Sequence, residues 1–584
     1  MTEIELEIEQ LSHKIKKEVA RFELESFAGF FTYFIKQRPD KSGEHILNKY
    51  GSKLKDWQYL IALNATAEER GNEVFSLEHN DLISGWADDL NKIKELYQQQ
   101  SLGDIDTARD LLNRFIHQAS FQTFFDNGAL SYMEQDIDRL KRVFTRFDEI
   151  IEKRFGVTIE VIIKWIKFAE ELSQHKDREL NAYQNTKEFQ AFLINSHGDK
   201  TFEQRISRLP VAIREALDTF QLCTHASFKF RREEFHEQFT EEPIIHLLAM
   251  VTMFPESDPK FLFYAQANPI EQNPIMWLPS NEYLHIYQKQ LPIAFGSFLY
   301  QFLLQEPKVA DKLRKHRDHV LEVKTLEVFK KLFAQAKEAF FYTNYRVKHN
   351  TEQDILVLYK DIALIIEVKA SKFREPYRNS EKGFERIRAD FKDAIQYGYD
   401  QCLRVEDMFY GEEQFDIIEN DKVAHTVNPK RFNYVHSIIV TLERWGPVQT
   451  DLNLLLKKEP DEEFPWSVYI DDLETFILAL KKQFNNPVSN FMQFLTSRRK
   501  IHGRMYATDE MDICGTFLSN KNLYFKITDN PEASMTFSPE NQEVFDDLYY
   551  TGLGFDDEFF IEIKKKRRPI SKIKIEGYML SRKP

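Results

Sequence analysis

Between Gln353 and Ala370, two short apolar runs, Ile355-Leu356-Val357-Leu358 and Ile362-Ala363-Leu364-Ile365-Ile366, flank the polar pair Lys360-Asp361. Such runs around a two-residue polar break predict a β-hairpin. With Lys360-Asp361 as the loop, Tyr359 pairs with Ile362. Counting outward then sets Asp354 opposite Glu367 on one face, with β-carbons about 4.5–5.5 Å apart. Two carboxylates so close repel, and burying them without a counter-charge is costly. A hard divalent cation with oxygen ligands resolves the conflict, and magnesium is the usual choice beside phosphates. Lys369 follows Glu367 by two residues, so it shares that face about 6.6 Å further along the strand. From there its ammonium can reach a scissile phosphate or an attacking water.

The residues around this pair sharpen the reading. Leu364-Ile365-Ile366 and Val368 form a nearly continuous apolar run, as expected of an inner strand covered on both faces. A carboxylate and a lysine are out of place there unless paired or coordinated. The competing reading is a solvent-facing hairpin, on which Asp, Glu and Lys are ordinary.

An acid on one strand followed by Glu367-Val368-Lys369 on the next resembles the PD-(D/E)xK, or restriction-endonuclease-like, nuclease superfamily; Gln353 stands where the literal motif has proline. The resemblance covers roughly residues 320–480. It implies a Mg2+-dependent phosphodiesterase acting on nucleic acid, with Mn2+ as a substitute ion and DNA as the expected polymer. Asp354 and Glu367 would ligate the metal, the Val368 carbonyl would be a further ligand, and Lys369 would serve the reacting phosphate. In this family the helix before the hairpin often adds a glutamate. Glu327 fits that role best, with Glu322 and Glu338 as competitors. A glutamine on the following helix is also frequent, and Gln401 is favoured over Gln396.

The flanks fit an α/β core. Leu326, Phe329, Leu332, Phe333, Ala336 and Phe340 follow helical spacing over Thr325–Phe340. Strands are expected at Phe341–Val347, Gln353–Tyr359, Ile362–Ala370, Tyr434–Leu442 and Trp466–Ile470, with helices at Glu381–Val405 and Asp471–Phe484. After the hairpin, Lys372, Arg374, Arg378, Lys382, Arg386, Arg388 and Lys392 stand against only Glu375, Glu381, Glu385 and Asp390, in a chain of net charge −14. Counterion release from backbone phosphates would give this segment nonspecific affinity for nucleic acid. A charged outer face of an amphipathic helix is the plainer alternative.

At 584 residues the chain exceeds what one core supports. The expected fold is multidomain α+β. A largely helical region spans 1–305, in one or two subdomains, and would sense a trigger, clamp substrate or mediate oligomerisation or partner binding. A nuclease-like domain with a mixed sheet spans 306–484, and a mixed accessory region spans 485–584. N-terminal helices are expected at Glu5–Leu24, Ile105–Phe115, Glu134–Phe155, Glu160–Leu172 and Pro210–Leu222. Val488–Thr496 reads as a helix and Phe517–Thr528 as partly extended. A second basic cluster, Lys564–Arg568, is equally a nucleic-acid contact or a solvated surface.

Several classes are disfavoured. No run of 18 apolar residues suggests a membrane span. The N-terminal MTEIELEIEQLSHKIKKE lacks the apolar core of a signal peptide. Cys223, Cys402 and Cys514 have neither disulfide nor zinc spacing, so a reducing cytoplasm is expected. No Walker A loop supports an ATPase. Antiphage defence is one setting that suits a regulated nuclease with large added regions. The alternative function is a catalytically inactive protein that keeps the fold to bind nucleic acid or regulate.

Overall fold

The computed structural model describes residues 2–36, 52–99, 108–126, 131–184, 187, 228–347, 352–371 and 380–558. The chain forms two compact units, residues 1–99 with 128–310, and residues 100–127 with 311–584.

The first unit is mainly helical. Its opening helix, Glu3–Val19, starts at a capping box in which the Glu5 amide donates to Thr2 Oγ1 and the Thr2 amide to Glu5 Oε2. Sequence periodicity carries this helix to Leu24. It stops at Val19 because Asn64 Nδ2 donates to the carbonyls of Val19 (2.7 Å) and Phe22 (3.0 Å), and a second helix, Leu24–Ile35, begins beyond. Phe22, Phe27, Phe75 and Trp86 pack beneath them, with Phe22 and Phe75 ring centroids 4.8 Å apart. The expected helix Glu134–Phe155 is divided by a tight turn at Thr145–Phe147. A small four-stranded sheet, not anticipated from the sequence, is built from Lys229–Phe230, Tyr283–His285, Ile275–Trp277 and Thr252–Met253 in that order. The expected helix Pro210–Leu222 lies outside the described residues.

The second unit is built on a seven-stranded mixed sheet flanked by helices. Its strands are β1 (Phe340–Val347), β2 (Gln353–Tyr359), β3 (Ile362–Lys369), β4 (Phe415–Glu419), β5 (Lys422–Val427), β6 (Tyr434–Thr441) and β7 (Trp466–Tyr469), in the order β7-β6-β3-β2-β1-β4-β5. Helix α1 (Ala310–Leu332) precedes the sheet. Helices α2 (Ser380–Phe391) and α3 (Tyr397–Tyr410) follow β3, and α4 (Ile470–Gln483) follows β7. β3 pairs antiparallel with β2 and parallel with β6, so it is central. Seven of its eight residues are buried, as its apolar run requires.

Alternation along the strands sorts the two faces. Leu356, Leu358, Ala363 and Ile365 meet Cys402, Val405 and Phe409 of α3. On the opposite face Phe333, just beyond α1, packs on Phe341 and Tyr359 at 6.1 and 5.5 Å between centroids. Trp466 packs there against Phe476 of α4 at 6.2 Å.

Three expectations need correction. The helix before the sheet ends at Leu332, not Phe340. The chain then turns through Glu338 at φ 72°, and Phe340 opens β1 instead of closing the helical stripe. Phe517–Thr528 is not extended. It belongs to α6 (Glu510–Ser519) and α7 (Lys521–Thr528), which follow α5 (Pro487–Arg498). Asn520 starts α7 by accepting from the Leu523 amide at 3.1 Å, and Phe517 and Tyr524 pack 5.3 Å apart. The helix expected over Glu381–Val405 is interrupted by a π turn at Lys392–Gln396.

Candidate active site

The hairpin has the register that residue counting gives. Tyr359 pairs with Ile362 and Ile355 with Ile366, so the ladder carries Asp354 to Glu367 at its end. The loop residue Lys360 takes a left-handed φ of 55°. At the far end the side chains take over from the ladder. The Val368 amide donates to Asp354 Oδ2 at 2.7 Å, and the Asp354 amide to Glu367 Oε1 at 3.3 Å. The Val368 amide therefore faces β2, and its carbonyl lies along the same edge.

Lys369 sits across both acids. Its ammonium is 2.8 Å from Glu367 Oε2 and 3.4 Å from Asp354 Oδ2. Glu367 is fully buried, and burial pushes its carboxyl up to about 8; the Lys369 ammonium opposes that rise, while Asp354 adds to it. Burial works against the charge on Lys369, yet Glu367 and then Asp354 outweigh it and hold the ammonium above its ordinary range. Lys369 thus stays charged, with Asp354 and Glu367 as its anchors.

All three residues lie at the carboxyl end of β3, where parallel β3, β6 and β7 end together. Ligands of open α/β sheets bind at such ends. Helix α1 reaches this end early in its length, because Arg317 donates to the Ala370 carbonyl at 2.8 Å. One turn later, burial raises the Glu322 carboxyl, and the charge of Asp354 raises it further. Glu322 thus lies close enough to Asp354 to feel its charge. Glu327 lies five residues on, about 7.5 Å along the axis and about 140° round it. It shares its side of the helix with Lys324 and Lys331, which both pair with Glu474 of α4. Glu338 is in the turn before β1, and Phe340 pairs with Leu358 near the hairpin loop, so it lies at the other end of β2 from Asp354.

Helix α3 roofs the acids. A Cβ on Gly398 would stand 3.4 Å from Lys369 Cε and 3.2 Å from Ile439 Cγ2, so the bare glycine lets the helix lie directly on β3 and β6. Gln401, one turn beyond Tyr397, is buried, and its Oε1 accepts no hydrogen bond among the described residues. Gln396 is already engaged, donating to Asp400 and to the Lys457 carbonyl and accepting from the Lys457 amide.

Sequence reasoning passed over Tyr345. Asn344 takes φ 49° and breaks the alternation of β1, so Tyr342, Tyr345 and Val347 all enter the core beneath α3. The Tyr345 hydroxyl is buried without a partner among the described residues. Burial raises its pKa well above normal, and the neighbouring Glu367, Cys402 and Asp354 raise it further. An asparagine within a β-branched and aromatic run was the available signal.

Of the basic residues, Arg386 and Arg388 lie partly buried on α2. Lys372, Arg374, Arg378 and the Lys382 side chain lie outside the described residues. Among the described residues no three His, Cys, Asp or Glu side chains converge as a preformed metal cage. Two opposed carboxylates and an adjacent carbonyl nonetheless form an all-oxygen donor set that suits a hard cation retaining waters. Among the described residues no helix is long and apolar enough to cross a membrane. Comparison with protein-family models, curated proteins and solved structures gives no match.

Proposed function

We propose that this chain is a metal-dependent nuclease of the PD-(D/E)xK type, with a restriction-endonuclease-like core, that hydrolyses phosphodiester bonds in DNA. One observation carries the reading: Asp354 and Glu367 oppose each other at the buried carboxyl end of a central strand, with the Lys369 ammonium against both. Asp354, Glu367 and the Val368 carbonyl would hold Mg2+, or Mn2+ in its place. When bound, the ion would polarise a phosphoryl oxygen and acidify a water. Lys369 then leaves the carboxylates and turns its charge to the phosphate, where it neutralises the developing oxyanion. Glu322, whose carboxyl feels the charge of Asp354, and Gln401, on the helix that packs over Lys369, would orient water or phosphate. The surplus of basic over acidic residues after β3 supports a polyanionic substrate. Antiphage defence is the setting we favour.

The test is cleavage of single- and double-stranded DNA and of RNA, with Mg2+ or Mn2+, by the wild type, Asp354→Ala and Lys369→Ala. Loss of cleavage in both folded variants is expected. Equal cleavage by all three removes the assignment.

One observation favours a second reading. The Lys369 ammonium pairs with both acids, as suits a protein that keeps the fold to bind nucleic acid or regulate without cutting. Mn2+ titration separates the two: binding abolished by Asp354→Ala and Glu367→Gln supports the nuclease, and no site-dependent binding supports the second reading.

A further inference from the structure

We propose that Tyr397 is a stacking platform for the base beside the scissile phosphate, and that the site therefore takes an unpaired DNA strand; this rests on the nuclease reading. Tyr397 opens α3 beside the acids, and its ring centroid lies 5.7 Å from Lys369 Nζ. It is 52% exposed, although it stands next to one of the most buried parts of the sheet. A cation–π contact alone does not account for this placement. Lys369 already has two carboxylates, and the half of the ring that faces water is open to a ligand.

Two backbone features aim the ring. The π turn at Lys392–Gln396 ends immediately before Tyr397. One extra residue in a helix rotates everything after it by about 100°. The turn therefore sets the phase in which Tyr397 meets Lys369, and such insertions recur at functional sites. Gly398 then lets this end of the helix settle within van der Waals distance of Lys369 and Ile439. Helix α3 is thus brought down onto the catalytic strand at the point where the aromatic ring is presented.

The spacing selects the substrate. An ammonium holds a phosphate oxygen at about 2.7–2.9 Å. With a phosphate on Lys369, the base of an adjoining nucleotide comes within reach of a ring 5.7 Å from that nitrogen. In a duplex both faces of that base are covered by its neighbours. In a single strand one face is free, and stacking on an aromatic side chain is tolerant of sequence.

Fluorescence anisotropy tests this with labelled oligo-dT and a blunt DNA duplex in Mg2+, using full-length Asp354→Asn to prevent cleavage, with and without Tyr397→Ala or Tyr397→Phe. Wild-type cleavage is measured in parallel. Tyr397→Ala is expected to weaken oligo-dT binding about 5- to 150-fold, to leave duplex binding within about twofold, and to leave Tm unchanged, whereas Tyr397→Phe keeps the affinity. Unchanged oligo-dT binding in Tyr397→Ala, or an equal loss on duplex, overturns the stacking role. If the wild type nevertheless cleaves DNA, the nuclease reading survives that result. A parent protein that neither binds nor cleaves DNA overturns both.

Discussion

The Lys369 ammonium lies against both Asp354 and Glu367, so under the proposed function an incoming metal ion would compete with it for the same two carboxylates. Lys369→Met should therefore destabilise the metal-free protein by about 1–3 kcal/mol, because it leaves buried carboxylate oxygens unsatisfied. It should also bind Mn2+ more tightly than the wild type in calorimetry while losing cleavage; weaker metal binding would mean that Lys369 helps to hold the ion. Glu367 gives the pH dependence. Its folded-state carboxyl, pushed up to about 8, binds a proton more tightly than in the unfolded chain. The resulting stability is complete below about 4.5 and is lost as pH rises through about 8. Denaturant unfolding of the metal-free wild type should weaken across that window, and Glu367→Gln should flatten the trend. The same proton competes with metal, so Mn2+ affinity should climb about tenfold per pH unit up to about 8 and then level off. A flat profile would show that Glu367 is already ionised at neutral pH.

Among the elements, the hairpin was the most legible. A two-residue polar break fixes the register of two apolar runs, and the side-chain period of two then dictates that Asp354 meets Glu367. The strands at Tyr434 and Trp466 are legible as short apolar runs. The hairpin β4–β5 was missed, although Asn420-Asp421 forms its loop with both φ values positive, at 51° and 60°; the runs beside it are too short and polar to register as strands. Helical phase was harder to read. Whether Glu322 or Glu327 meets the acids depends on which side of α1 packs, and Arg317 settles that through a contact 53 residues away. The π turn leaves no periodic trace, because one extra residue only shifts a pattern that continues beyond it. A prediction also belongs to the hairpin loop. Lys360 at φ 55° carries the penalty of a Cβ in left-handed backbone. Lys360→Gly should stabilise the protein by about 0.5–1 kcal/mol in chemical denaturation, and a destabilised variant would show that the Lys360 contact with the Tyr359 ring outweighs it.

Across the whole molecule, residues 485–558 are continuous with the sheet unit. Arg498 is buried and pairs with Glu510 at 2.8 Å, and Glu510 also accepts from Trp466 of β7 at 2.7 Å. Phe476, Phe494, Phe517 and Tyr524 close the same core. Arg498→Ala should therefore cost about 3–5 kcal/mol by leaving Glu510 uncompensated. Thermal unfolding should show the loss in the sheet unit; an unchanged Tm would mark the segment as an appendage. Composition could not reveal this, since the two members of a buried ion pair read in sequence as ordinary surface charges.

The nuclease assignment is tested most directly by single-turnover cleavage of labelled DNA over a Mg2+ series, comparing wild type with the near-isosteric Asp354→Asn. Mg2+-dependent cleavage by the wild type, with a loss on the order of 100-fold or more in the folded variant, is the expected result. Equal rates in the two proteins, or cleavage indifferent to Mg2+, would contradict the assignment.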